Sequence, residues 1–440
     1  MLYARWLEIV REHARETALV DGAGGRRWTF AQLANEAERF SLPGGRVIPA
    51  HGHSPDFVLA VLAAWRSERP LLPMDGGPTT SPLPADLELD ASVAHLKATS
   101  GTTGVRQLIA FTAEQLAADA DQIVATMGLR PDQPNLGVIS LAHSYGFSNL
   151  VTPLLLHGIP LILCPSPIPE TVRAAANGHA SLALPAVPVM WRAWHEAGAI
   201  PPQVDLAISA GAPLPLELEA AVHQRSGLKL HNFYGSSECG GIAFDRTTVP
   251  RSDAACAGTP LEGVNLSLDS DGCLVVEGAA VGLRYLPHGN DRLAGGKFRT
   301  SDVALLQAGT VLLRGRASDV INVAGRKLAP EFVEQVLRDQ PGVRDCVVFG
   351  VPSKDPVRIE EVVVALSLTD DGRLETVTQG AGRRLAAWQL PRHWWPVTNI
   401  AANHLGKISR REWRRRFLED GRTQKLDRQP ERNTGQGAGA

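Results

Sequence analysis

Five short stretches carry residue types suited to chemistry on a phosphate-bearing ligand. The first, "KATSGTTGVRQLIAFT", spans Lys97 to Thr112. Its Ser100, Thr102 and Thr103 present hydroxyls, while Gly101 and Gly104 let backbone amides turn toward an anion. The G-x-x-x-x-G-K-[ST] pattern of a P-loop is missing, and a Ser/Thr/Gly run alone also reads as a surface turn. The second, "NFYGSSECGG", sets Tyr234 beside a turn and then Ser237 and Glu238. An aromatic face stacks on a purine, and a carboxylate holds Mg²⁺ against phosphate oxygens. In the third, "FRTSDVALL", Asp302 is expected to end a strand and accept hydrogen bonds from two ribose hydroxyls. The fourth and fifth, "RGRASDVINVAGRKLAPEFVE" and "LGKISRREW", are rich in charge and glycine.

The elements that must position these residues follow from hydrophobic patterning. "LGVISLA", "PLILCP" and "VDLAISA" read as buried strands and "LPLELEAAVHQRSG" as a helix, an α/β alternation. From "GCLVVEG" through "LLQAGTVLLRGR" short alternating strands predict a small β subdomain or barrel. Beyond Arg316, "APEFVEQVLRDQ" predicts a helix with Phe332, Val333 and Val336 on one face, and "VRDCVVFGV" and "EEVVVALSL" predict strands of a compact α+β domain. The tail "RTQKLDRQPERNTGQGAGA" is too polar to bury a core and reads as disordered.

Composition excludes several classes. A chain of 440 residues exceeds one hydrophobic core, so two or more domains are expected. No apolar run approaches the roughly 20 residues of a membrane span, and "MLYARWLEIVREHARE" reads as an amphipathic helix rather than a secretion signal. These features predict a cytoplasmic protein with no membrane partner. Cys164, Cys239, Cys256, Cys273 and Cys346 form no CxxC pair and read as reduced structural thiols. A formal net charge of −2 argues against nucleic acid as a partner.

Taken in order, the five stretches resemble the signature motifs of the adenylate-forming superfamily, which contains acyl-CoA synthetases, firefly luciferase and nonribosomal peptide synthetase adenylation domains. The resemblance runs from about Trp28 to Phe417. It implies an α/β fold: a large N-terminal domain of α/β subdomains with a small β subdomain (1–316), then a small mobile α+β lid (317–420), then the tail (421–440). Thr99, Ser100, Gly101, Thr102, Thr103 and Gly104 match the mobile loop that holds the β and γ phosphates of ATP. In that loop Arg106 and Gln107 stand where Pro and Lys are usual. "AHSYGF" matches the motif whose histidine, here His143, lies near the carboxylate of the acid substrate. Gly211, Ala212 and Pro213 match the adenine-pocket segment. Tyr234, with Gly235, would stack on adenine, Ser237 would replace a usual threonine near the α-phosphate, and Glu238 would bind Mg²⁺. Asp302 and Arg316 would serve the ribose, Asp319 would be the lid hinge, and Gly325 would line a pantetheine tunnel. Lys407 matches the lysine that reaches the reacting carboxylate and α-phosphate.

The implied reaction is activation of a small carboxylic acid by ATP and Mg²⁺, with transfer of the acyl group to the thiol of CoA or of a phosphopantetheine-bearing carrier protein in trans. The physical logic is independent of kinship: a carboxylate is a poor electrophile until its oxygen carries an adenylyl group. Two departures stand out, Gln107 and the short segment from Gly76 to Ala98, where the family places a substantial lobe. They leave open a catalytically impaired binding protein of the same fold. An amino-acid-activating enzyme is disfavoured because the stretches around His143–Phe147, Ile208–Gly211 and His231–Gly241 offer no evident carboxylate for an α-amine. A kinase is disfavoured by the missing P-loop and kinase motifs.

Overall fold

A computed structural model describes every residue except 76–86, 99–106, 318, 356–357, 401–408, 421–423 and 426–440. The architecture is mixed α/β, divided into two units, Met1–Leu313 and Arg314–Ala440.

In the first unit the apolar runs become parallel strands. Leu161–Leu163, Leu182–Ala186, Val204–Ser209 and Leu230–Ser236 belong to one long sheet, with Leu184 opposite Ala207 and Ala207 opposite Leu230. Parallel strands covered on both faces need continuous apolar sequence, which "LALPA" and "VDLAIS" supply. The carboxyl ends of neighbouring strands therefore deliver Val187, Ala210 to Pro213 and Gly235 to Glu238 to one edge, where open α/β sheets bind ligands.

A second sheet joins Ile48–His51, Leu71–Met74, Val93–Ala98, Leu108–Thr112 and Arg284–Leu286. Its strand Leu108–Thr112 runs directly into the helix Ala113–Met127. Thr112 starts that helix with a capping box: its hydroxyl accepts the Gln115 amide at 3.3 Å, and Gln115 Oε1 accepts the Thr112 amide at 2.9 Å. Gly128, at φ 66°, ends it in the left-handed region. The core is anchored by the fully buried Trp6, Trp191, Trp194, Phe30 and Phe57. The five cysteines are free, and no helix among the described residues is long and apolar enough to cross a membrane.

The second unit holds the helix Pro330–Arg338 and the antiparallel strands Val343–Pro352 and Glu360–Leu368. Val333, Val336, Leu337, Val348, Val364 and Trp394 are buried together.

Four expectations need correction. "LGVISLA" pairs only over Asn135–Gly137, because the chain then enters the tight turn that carries His143. The segment from "GCLVVEG" closes no separate barrel: Cys256–Pro260, Asn265–Leu268, Cys273–Glu277, Lys297–Gln307 and Thr310–Arg316 extend the long sheet. Asp302 lies within Lys297–Gln307 rather than at its end, since Val303 still pairs with Cys273. Phe332 is 45% exposed; the buried stripe is Val333, Val336 and Leu337, the i, i+3, i+4 positions of one helical face. The expectations for 421–440 lie outside the described residues, apart from a short strand at Gln424–Lys425.

Candidate active site

Tyr234 and Asp302, 68 positions apart, meet because their strands belong to the same sheet. The Tyr234 hydroxyl donates to Asp302 Oδ2 at 2.5 Å, and the Asp302 amide donates to Thr300 Oγ1 at 3.0 Å. The bond fixes the aromatic ring relative to the carboxylate, a geometry suited to a base plane beside a diol. Gly235 follows on the same strand; a Cβ there would sit 2.6 Å from the Gly240 carbonyl oxygen, so only glycine lets the turn close.

That turn carries Ser237 and Glu238. Ser144 Oγ contacts Ser237 Oγ at 3.1 Å, joining the "AHSYGF" and "GSSE" segments. The Glu238 amide donates to Ser236 Oγ at 3.2 Å, and its carbonyl accepts the Gly282 amide at 2.8 Å. Glu238 Oε1 accepts the Tyr285 hydroxyl at 3.0 Å. Burial, reinforced by Glu238, holds the Tyr285 phenol above its ordinary value, so it stays a proton donor. Tyr285 sits opposite Ile109, which ties the Glu238 turn to the strand that follows the expected phosphate loop.

Behind the turn lies a buried ion pair that the sequence reading missed. Lys97 Nζ stands 3.9 Å from Asp119 Oδ2, and both side chains are about 5% exposed or less. Asp119 also accepts the Ser148 hydroxyl at 2.5 Å and the Gly241 amide at 3.1 Å. Burial lowers the Lys97 pKa, while Asp119, Cys239 and Glu238 oppose that shift. Two signals were present in the sequence: a lone lysine in the apolar strand "VAHLKA", and an aspartate on the helix face of Leu116, Ala120 and Ile123.

Gly211 stands past the strand Val204–Ser209 at φ 84°, and the Ala210 amide donates to the Ala186 carbonyl at 3.2 Å, so Gly211, Ala212 and Pro213 follow the carboxyl end of that strand. Tyr145 reaches the Ala186 and Ile208 carbonyls at 3.4 and 3.3 Å, and burial raises its pKa well above the usual phenol value. Asp245 is buried and bound by Lys229 at 2.6 Å. His143 begins the short helix Ser144–Gly146, and its Nε2 contacts Asp75 Oδ2.

The remaining candidates fall elsewhere. Thr99 to Gly104 and Lys407 lie outside the described residues. Arg316 and Asp319 belong to the second unit, where the Asp319 and Val320 amides donate to the Arg316 carbonyl at 3.0 and 3.1 Å. Asp319 Oδ2 pairs with Arg410 at 3.1 Å, and the same guanidinium pairs with Glu331 and Glu334, each at 2.8 Å. Burial works against the Arg410 charge, but these three carboxylates outweigh it and hold its pKa above the ordinary value. Gly325, at φ 84°, forms the turn between Ile321–Val323 and Arg326–Leu328.

The model of the AMP-binding enzyme matches residues 82–286, and that of the AMP-binding enzyme C-terminal domain matches 332–407. The chain is 28% identical over 350 residues to a probable 2-succinylbenzoate–CoA ligase of Mycobacterium tuberculosis, covering 75% of this chain and 86% of that one. It is 28% identical over 394 residues to a feruloyl-CoA synthase of an Amycolatopsis species, covering 83% and 78%. Its fold matches ATP-bound MatB of Rhodopseudomonas palustris with a TM-score of 0.82 at 20% identity, over 96% of this chain and 99% of that one. It also matches the o-succinylbenzoate CoA synthetase of Bacillus subtilis in complex with its acyl-adenylate, with a TM-score of 0.78 at 20% identity, over 96% and 99%.

Proposed function

Starting from the membership of this chain in the AMP-binding enzyme family, we propose that its first unit adenylates an aryl or medium-length carboxylic acid before passing the acyl group to a thiol. The observation that carries the reading is the convergence, within one unit, of the Tyr234–Asp302 pair and the Ser144–Ser237–Glu238 cluster. Tyr234 would stack on adenine, Asp302 would bind the ribose hydroxyls, and Gly211 to Pro213 would edge the base pocket.

Glu238 suits Mg²⁺: it is a hard oxygen donor on a rigid turn, and the ion commonly takes one or two carboxylates plus substrate phosphates. Bound there, Mg²⁺ would neutralise phosphate charge. Tyr285 would keep the carboxylate aimed, and Ser237 would donate its hydroxyl toward the α-phosphate. Thr99 to Gly104 would cradle the outer phosphates, Arg316 would assist at the ribose, and Lys407 would meet charge developing on the α-phosphoryl group. The lid would turn about Asp319, and each half-reaction would use a different face of it.

The acid class is supported by how two carboxylates near the site are engaged. Asp245 is neutralised by Lys229, and Asp205 is engaged by the Ser181 hydroxyl at 2.7 Å, so neither serves an α-amine. The two ligase relatives are named for aryl acids, 2-succinylbenzoate and ferulate. CoA, the thiol in those names, is the preferred acceptor over a carrier protein. ATP/pyrophosphate exchange screened across aryl, fatty and amino acids tests the reading: aryl or medium-length acids should stimulate exchange, and Glu238→Gln should raise the Mg²⁺ requirement. Exchange with amino acids alone, or with no acid, would overturn it.

A further inference from the structure

Four charged side chains of the first unit are buried together: Glu219, Lys229, Asp245 and Arg251 are each 6% exposed or less. Lys229 Nζ pairs with Glu219 Oε1 and, at 2.6 Å, with Asp245 Oδ2, while Arg251 Nε donates to Glu219 Oε2 at 2.8 Å. Two cations thus face two carboxylates. Such a buried quartet is a weak source of stability, because well-packed apolar side chains of similar volume often serve as well or better. What charge supplies here and hydrocarbon does not is direction.

The same groups also bind backbone. Lys229 Nζ donates to the Leu230 carbonyl at 2.8 Å, Glu219 Oε1 accepts the Arg251 amide at 2.9 Å, and Asp245 Oδ1 accepts the Thr247 amide at 3.0 Å. A polar network satisfied in this way is rigid. The Arg251 guanidinium reaches furthest: its Nη2 donates to the Leu214 carbonyl at 2.8 Å and its Nη1 to the Cys256 carbonyl at 2.7 Å. Leu214 directly follows segment 211–213 and stands just ahead of the helix Leu216–Ser226, which carries Glu219. The Cys256 carbonyl also accepts Asn232 Nδ2 at 3.1 Å, and Asn232 lies two residues before Tyr234 on the strand Leu230–Ser236. One planar, rigid group therefore ties segment 211–213 to the strand of Tyr234, through Leu214, Arg251, Cys256 and Asn232 in turn.

We propose that Arg251 is a positioning residue that fixes the gap between segment 211–213 and Tyr234 and so sets the selectivity of the base pocket for adenine. This role rests on the adenylation reading above, in which those residues border the base. Arg251 acts through backbone carbonyls, not on the nucleotide. The ribose and phosphates are assigned to other groups, so a loosened gap costs base selectivity first.

Arg251→Lys tests this, because it keeps the charge but cannot bridge two carbonyls and a carboxylate with a planar fork. Calorimetric titration of the full chain with ATP and with GTP, each with Mg²⁺ and no acid, reads the outcome without turnover. The wild type should prefer ATP, and the variant should bind ATP about tenfold more weakly but GTP nearly as before. In pyrophosphate exchange the KM for ATP should rise by a larger factor than the rate at saturating ATP falls. Asn232→Ala is the second test, since it cuts the same tie at an uncharged bond and leaves the quartet whole; it should erode the preference for ATP about threefold. An ATP preference left intact in a folded variant, whatever its melting temperature, or equal weakening toward ATP and GTP, would mark the quartet as structural only and overturn the proposal. A wild type that binds the two nucleotides equally would overturn it as well, whereas one that binds neither would sink the adenylation reading on which it stands.

Discussion

Asp119→Ala should destabilise the first unit by about 3–5 kcal/mol, the usual result of removing one partner of a buried ion pair. The substitution leaves three donors behind: the Lys97 ammonium 3.9 Å away, the Gly241 amide at 3.1 Å and the Ser148 hydroxyl at 2.5 Å. Each unpaired polar group would cost roughly 1–3 kcal/mol separately, but the three share one site and cannot be summed. Lys97 also has an escape, because its pKa is already lowered by burial and Asp119 is the first of the groups opposing that shift. Without Asp119 the folded-state pKa drops further below the unfolded value. The unfolded chain then binds more protons than the folded one, so stability rises with pH, over a window that starts lower in the variant. The deficit should accordingly be largest near neutral pH and narrow toward pH 9.5. Adding Lys97→Met to Asp119→Ala should recover part of the loss by removing the orphan cation. Urea unfolding, with hydrogen exchange of the segment 238–244 as the local readout, measures both effects. A loss below about 1 kcal/mol, a gap that widens with pH, or a double variant weaker than Asp119→Ala would refute the reasoning.

Arg410→Gln should destabilise the second unit by about 3–5 kcal/mol, because Asp319, Glu331 and Glu334 lose their common cation. Burial already raises the Glu331 pKa, and the substitution raises it further, so this loss should grow as pH rises from 5 to 7 in thermal melts. Tyr234→Phe keeps the ring but removes the 2.5 Å bond to Asp302, and the KM for ATP should rise about tenfold in exchange assays, in line with a lost hydrogen bond to a charged group. Lys407→Ala should suppress acyl-adenylate formation by a factor on the order of 100, while thiol transfer from supplied acyl-adenylate falls far less. An equal fall in the two steps would count against that lysine's role.

What was readable along the chain was whatever local chemistry dictates. Apolar runs such as "VDLAISA" and "EEVVVALSL" became strands because a buried strand needs little beyond continuous hydrophobicity. "LPLELEAAVHQRSG" became the helix Leu216–Ser226, ended by Gly227 in the left-handed conformation. Tyr234, Ser237, Glu238 and Asp302 were recognisable as candidates because stacking, hydroxyl donation and carboxylate binding are properties of single side chains. Phe332 shows the limit of that approach: periodicity located the helix, but which flank of its stripe is covered depends on the sheet beneath it.

Tertiary structure decided everything that depends on partners distant in the chain. Asp119 reads as an ordinary helix aspartate until folding sets it against Lys97, Ser148 and the Gly241 amide, 122 positions away. Tyr285 is an unremarked strand residue until its hydroxyl meets Glu238, and Asp75 merely ends "LLPMD" until it meets Ser140 and His143. A side chain's type is written in the chain, but its protonation, orientation and charge balance are set by neighbours that only the folded backbone brings within hydrogen-bonding distance.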